Sequence, residues 1–186
     1  MIGGISMFIK YESVNQICNN ECMKENIRRL KNYDAFHCLL AGSAKSANAV
    51  NKRIVGLPVS FLEWLEVCNG GMLFDTAMLT TVTYNRELNL SFETYGDYCD
   101  VTLRKTKRIS DDWFVFATAV HSDVFFFDMG KKDGKVYQWD VELYKVYAEW
   151  DNFEDWLTAQ INEAVVLIAN GDLEPLDIKL EVDSNE

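Results

Sequence analysis

Two histidines, His37 and His121, are the first candidates for acid–base or nucleophile-activating chemistry in this chain of 186 residues. Imidazole titrates near neutrality without any help from its surroundings. His37 directly precedes Cys38, and His121 stands in "AVHSDV", a turn between two apolar runs. Either ring could activate a thiol, but no local signature of a cysteine nucleophile surrounds them. Cys18 and Cys22 are one helical turn apart, and His37-Cys38 could complete a metal site in principle. That spacing matches no common zinc finger or ribbon, so small buried thiols are the expectation. Asp123, Asp128, Asp133 and Asp140 lie near the ends of apolar runs. Paired carboxylates can move protons or hold a hard cation, and they are equally what ordinary turns contain. Asn69-Gly70-Gly71 lacks the lysine and hydroxyl of a phosphate-binding loop. The aromatic set Trp113, Phe114, Phe116, Phe125, Phe126, Phe127, Tyr137 and Trp139 could form a binding platform, but strand alternation would bury one face of it as core. No catalytic residue, metal ligand or cofactor is expected.

The elements that would position these residues can be read from periodicity. Residues 14–33 are loosely helical through Val14, Ile17, Cys18, Cys22, Ile27 and Leu30. Residues 41–52, "AGSAKSANAVNK", are small and polar, a loop or a weak second helix. Pro58 suits a first helical position, and Phe61, Leu62, Leu65 and Cys68 give one buried stripe. Asn69-Gly70-Gly71 then reads as a left-handed stop that satisfies the last helical carbonyls before a strand begins at Met72. Residues 97–107 lean towards helix. "WFVFATAV", "DVFFFDM", "KVYQWD" and "YKVYAEW" read as strands, with Gly134 in the turn before the third. Asp151 and Glu154 form a capping-box pattern for a last helix with Phe153, Trp156, Leu157 and Ile161 on its buried face. Segregated helices and strands predict an α+β fold with a mostly antiparallel sheet. No repeat and no long linker divides residues 1–186, so a single domain is expected, with an acidic tail over 172–186.

Composition limits the function classes. The apolar fraction of 48% supports a real core. Runs such as "AVVLIA" are far too short to span a bilayer, and "MIGGISMFIK" lacks the basic region of a secretory signal. Five cysteines, an odd number, point to reduced thiols and a cytoplasmic location. The net charge of −11 is uneven: residues 1–58 carry +4, residues 59–170 carry −10 and residues 171–186 carry −5. Such a body repels nucleic acid and anionic lipid and attracts a basic partner. It would also serve solubility alone.

"GLPVSFLEWLEVCNGGMLF" resembles the leucine-proline, helix, asparagine-glycine-glycine segment of the SUKH superfamily, whose best known branch is named after a yeast regulator of cell-wall glucan synthesis (Smi/Knr). "FVFATAVHSDVFFFD", "GKVYQWD" and "AEWDNFEDWL" are similar to its strands, its hairpin and its closing helix. The likeness is strongest over 57–167. Its structural motif falls here on Leu57, Pro58, Asn69, Gly70, Gly71, Phe153, Trp156 and Leu157. The resemblance implies a curved, mostly antiparallel sheet covered by helices. It also implies an immunity protein, not an enzyme, that neutralises a cognate toxin domain, often a nuclease. A regulatory or scaffold protein of the yeast type is the alternative. A nuclease is basic in order to hold phosphates, so an acidic face would suit it. The expected partner-binding residues are Asp97, Asp100, Asp111, Asp112, Asp123, Asp133 and Glu142.

Overall fold

A computed structural model describes residues 9, 11, 20–74, 76–79, 101–119 and 122–176. Of the candidate residues, Asp97, Asp100, His121 and Cys18 lie outside them. Helices α1 (Glu21–Lys31), α2 (Ala44–Arg53), α3 (Val59–Val67), α4 (Val101–Lys107) and α5 (Phe153–Asn170) accompany seven strands. These are β1 (Cys38–Ala41), β2 (Cys68–Leu73), β3 (Ala77–Leu79), β4 (Trp113–Ala119), β5 (Val124–Asp128), β6 (Val136–Asp140) and β7 (Lys145–Trp150). The strands form one open sheet in sequence order, every pair antiparallel. The α+β expectation is met. Among the described residues no helix is long and apolar enough to cross a membrane.

Alternation along the strands sends side chains to two apolar clusters rather than one. Phe114, Phe116, Phe125, Phe127 and Val136 pack under α3 and α5, with Phe61, Trp64, Phe153, Trp156, Leu157 and Leu57. On the other face Val115, Val124, Phe126 and Tyr137 join Ile109 and the partly buried Trp113 and Trp139. The aromatic set is therefore core on both faces. A bulge between Val115 and Ala117 lets Phe116 and Ala117, successive residues, both enter the helical cluster.

Local signals hold with shifts of about one residue. In α1 the buried positions are Met23, Asn26, Ile27 and Leu30, spaced three and four apart, so Cys22 falls on the exposed side. Cys22 is not one of the buried thiols expected there, whereas Cys38 and Cys68 are buried. Residues 44–53 are helical because Ser43 caps them, its side chain accepting from the Ser46 N–H. The box on α5 belongs to Asn152 and Asp155 rather than Asp151 and Glu154. Asn152 Oδ1 accepts from the Asp155 N–H at 2.8 Å, and its Nδ2 donates to Asp155 Oδ2 at 2.8 Å. Pro58 is the residue before α3, not its first.

The Asn69-Gly70-Gly71 stop is also corrected. Helix α3 ends at Val67 and Cys68 is already extended, so all three residues lie inside β2 and are buried. The last carbonyls of α3 are satisfied from the β1–α2 loop: the Gly42 N–H donates to Val67 O at 2.9 Å and the Ser43 N–H to Leu65 O at 3.3 Å. Gly70 and Gly71 do take positive φ, 95° and 121°. Gly71 lets β1 and β2 approach. A Cβ on Gly71 would stand 2.1 Å from Cys38 O.

Gly71→Ala should therefore destabilise the protein by more than about 2 kcal/mol, combining a backbone clash with left-handed strain. Gly134 also has positive φ, but a Cβ there meets nothing within 4 Å. Gly134→Ala should cost about 1 kcal/mol, strain alone. Urea unfolding of the two variants measures the difference; equal costs would contradict the close-approach account.

Candidate functional site: an acidic end of the sheet and its pocket

Because the strands form a meander, successive turns fall at opposite ends of the sheet. Asp111 and Asp112 precede β4 and Asp133 precedes β6, so they share one end, the Asp112 end. Asp123 lies before β5 and Glu142 before β7, at the other, the Tyr144 end. The five described candidates therefore do not form one face.

The two ends differ in charge. Around the turns of β4–β7 at the Asp112 end, the carboxylates of Asp111, Asp112, Asp128, Asp133, Glu149 and Asp151 stand against Lys131, Lys132, Lys135 and Arg104, whose guanidinium donates to Trp113 O at 3.0 Å. Lys135 Nζ bridges Glu149 at 3.0 Å and Asp151 at 3.1 Å, and Lys131 is 3.8 Å from Asp128. Asp133 is engaged in its own turn, accepting from Tyr137 Oη at 2.7 Å and from the Lys135 N–H at 3.0 Å. Burial opposes its ionisation, but these donors and Lys131 outweigh it and hold its pKa low. Asp111 and Asp112 are exposed.

At the Tyr144 end Asp123, Asp140 and Glu142 are balanced by Lys107, Arg108 and Lys145. The Arg108 guanidinium lies 3.8 Å over the Tyr144 ring, and Lys107 Nζ is 3.5 Å from Ser122 O. Asp123 and Asp140 serve the backbone, accepting from Val141 N–H and from Glu142 and Leu143 N–H. This hairpin exposes Leu143, Tyr144, Val146 and Tyr147 by 40–63%. "VELYKVY" carries apolar residues on both faces of an edge strand, a pattern that a one-sided core cannot absorb.

A pocket missed from the sequence opens at the Asp112 end, where β7 hands over to α5. Three helices start around it. Asn20 caps α1, accepting from the Met23 N–H at 3.1 Å; Asn152 caps α5; Val59 and Ser60 begin α3. The cavity between them, about 640 Å³, is lined by these four residues with Glu21, Glu63 and Glu154. Glu21 pairs with Lys24 at 2.6 Å, and that hydrogen bond lowers its pKa. Glu154 is only 9% exposed. Its Oε1 accepts from Asn20 Nδ2, while its buried Oε2 has no hydrogen-bond donor. Asn26 secures the same turn of α5 through Glu154 O at 3.3 Å and Thr158 Oγ1 at 2.9 Å. Helix N-termini carry positive partial charge, which stabilises the carboxylates gathered there.

The histidine and thiols of the opening candidates sit elsewhere. His37 is buried between α1 and the sheet, its ring edge-on to Phe74. Nε2 lies 2.9 Å from Tyr11 Oη and 3.1 Å from Leu30 O, and Nδ1 is buried without a partner. Burial lowers the His37 pKa, against smaller contributions from Leu30 O and Asp34. Burial likewise raises the Cys38 thiol and pushes Cys68 up to about 12. Both thiols are held protonated at neutral pH. Among the described residues no group of three histidines, cysteines or carboxylates could hold a metal ion.

The model of the SMI1 / KNR4 family (SUKH-1) matches residues 48–159. The matched span runs from within α2 to within α5 and includes Ser60, Glu63, Asn152 and Glu154, but not Asn20 and Glu21. No curated protein and no solved structure matches the chain.

His37 gives this arrangement a pH signature. Its folded pKa lies below the ordinary 6.5, so the unfolded chain binds the extra proton first as pH falls. Its contribution to stability is intact above about pH 6.5 and is lost progressively below it, down to the folded pKa. Melting temperatures measured between pH 7.5 and pH 5.5 should fall, and His37→Gln should fall less steeply over that window. Parallel curves for the two proteins would contradict this.

Proposed function

Because the chain belongs to the SMI1 / KNR4 family (SUKH-1), we propose that it acts as an immunity-type protein, binding a basic toxin domain and blocking its working cleft. By charge that domain is a nuclease, since an enzyme that grips phosphates presents a positive surface. The observation that carries this reading is the asymmetry between the two ends of the sheet. Around the turns that join β4 to β7, six carboxylates face four cations at the Asp112 end, Arg104 included, whereas three face three at the Tyr144 end. In this reading the chain catalyses nothing and acts by occupancy.

The mechanism follows from electrostatics. A net charge of −11 draws a cationic domain in, and the uneven distribution orients it before contact. Exposed Asp111, Asp112 and Asp151 make the rim. The hydrogen-bonded turn at Asp133 and the Lys135 bridges keep the rim's backbone in place. Sequence-order candidates at the other end, Asp123 and Glu142, fall outside this interface.

The test is co-expression and kinetics with the toxin domain encoded beside this chain. Asp111→Lys, Asp112→Lys and Asp151→Lys together should slow association at least about tenfold at low salt and weaken rescue of cells expressing the toxin. Glu142→Lys with Glu163→Lys, a smaller charge change away from that end, should stay within about twofold. Rescue and association rate untouched by the triple reversal, or equally affected by the control, would overturn the docking face.

A further inference from the structure

We propose that the β6–β7 hairpin is a contact surface for a second copy of this chain, the two β7 strands lying antiparallel, edge to edge, about a two-fold axis near Tyr147. The proposal is independent of the toxin reading. Of the seven large apolar side chains that the described residues expose, four fall within five consecutive positions: Leu143, Tyr144, Val146 and Tyr147. Apolar residues exposed singly are ordinary, and such a cluster is not. The four do not alternate, so neither face of the sheet could cover them all. A contact along the edge reaches both faces at once. The edge is also open. Strand β7 is the last of the sheet, with no strand beyond it among the described residues, whereas at the opposite edge the Ile9 N–H donates to Leu39 O of β1 at 3.1 Å.

Charge selects the occupant. A second copy carries the same net −11, and contact through the two Asp112 ends would set one carboxylate excess against another. Within β7, Lys145 stands at one end and Glu149 near the other. A two-fold antiparallel arrangement sets Lys145 of each copy beside Glu149 of the other, twice, and points the two acidic ends in opposite directions. A parallel arrangement would set like charge against like. Glu149 already bridges Lys135, but 57% of its side chain is exposed, so it can serve a second cation. The Arg108 guanidinium over the Tyr144 ring holds that ring in place before contact, which reduces the entropy lost on association. The bulge where Gln138 and Trp139 meet β7 interrupts the strand, so side chains rather than a continuous backbone ladder make the contact. Such a patch is smaller than a standard interface, and the dimer should be weak, with Kd on the order of 10–100 µM.

Sedimentation velocity of the full chain between about 1 and 300 µM tests this. The weight-average sedimentation coefficient should rise with concentration from the monomer value towards that of a dimer. Val146→Lys with Tyr147→Lys should hold the chain monomeric across the range while leaving its circular dichroism spectrum unchanged. Lys145→Glu and Glu149→Lys should each weaken the dimer at least about threefold. Mixed in equal amounts, these two single variants should associate with each other more tightly than either does with itself, since each copy then supplies the charge that the other lost. Should the apolar pair fail to fold, the exposed charge swaps decide alone. A parent chain that stays monomeric throughout would overturn the proposal and leave the hairpin to a different protein. A dimer that survives the apolar substitutions would place the contact elsewhere and overturn it too. Charge variants that associate no better mixed than alone would overturn the antiparallel two-fold arrangement.

Discussion

One aromatic seam holds this molecule together. Phe61 of α3 lies 5.1–5.7 Å, centroid to centroid, from Phe114, Phe116, Phe127 and Phe153. Trp156 of α5 closes the seam, edge-on to Phe116 at 5.0 Å and 5.3 Å from Phe125. The helices would otherwise have little to dock them. Helix α3 is nine residues long, below the length at which a helix is stable by itself. Burial of these rings supplies the stability that local propensity cannot. It outweighs a real penalty, for the indole N–H of fully buried Trp156 has no acceptor.

The pocket is a consequence of the same seam. On α3, Phe61, Trp64 and Leu65 point into the core, which turns Val59, Ser60 and Glu63 towards the cavity. On α5, Phe153, Trp156 and Leu157 are fully buried, and Glu154 between them is held by the end of α1. Arg29 reaches Asn162 at 2.7 Å further along, so α1 and α5 are stitched along their length as well as packed. The acidic residues around the cavity are placed by packing that contains almost no charge.

Much of this fold was readable from residues alone, and the failures have physical reasons. The strands from Trp113 to Trp150 carry dense aromatic and β-branched alternation, which few other structures accommodate. The cap of α5 shifted by one because Asp151 and Asn152 are both competent caps, and only the geometry chose between them. Asn69-Gly70-Gly71 was misplaced because positive φ serves a helix stop and a close strand approach equally well. The carboxylate candidates divided because a position at a strand end does not by itself say which end of the sheet it reaches. Antiparallel order sends Asp112 and Asp133 one way and Asp123 and Glu142 the other. The pocket was invisible for a different reason: Asn20 and Glu154 are 134 residues apart, and no local pattern links them.

The central claim is that Phe61 is the keystone joining α3 and α5 to the sheet, so that fold and pocket stand or fall together. Urea unfolding of Phe61→Ala, followed by tryptophan fluorescence and far-ultraviolet circular dichroism, tests it most directly. The account predicts coincident transitions in both signals and a loss of about 3–5 kcal/mol relative to the parent chain. A loss under about 1 kcal/mol would contradict it, because a ring touching four others in a close-packed core cannot be removed so cheaply.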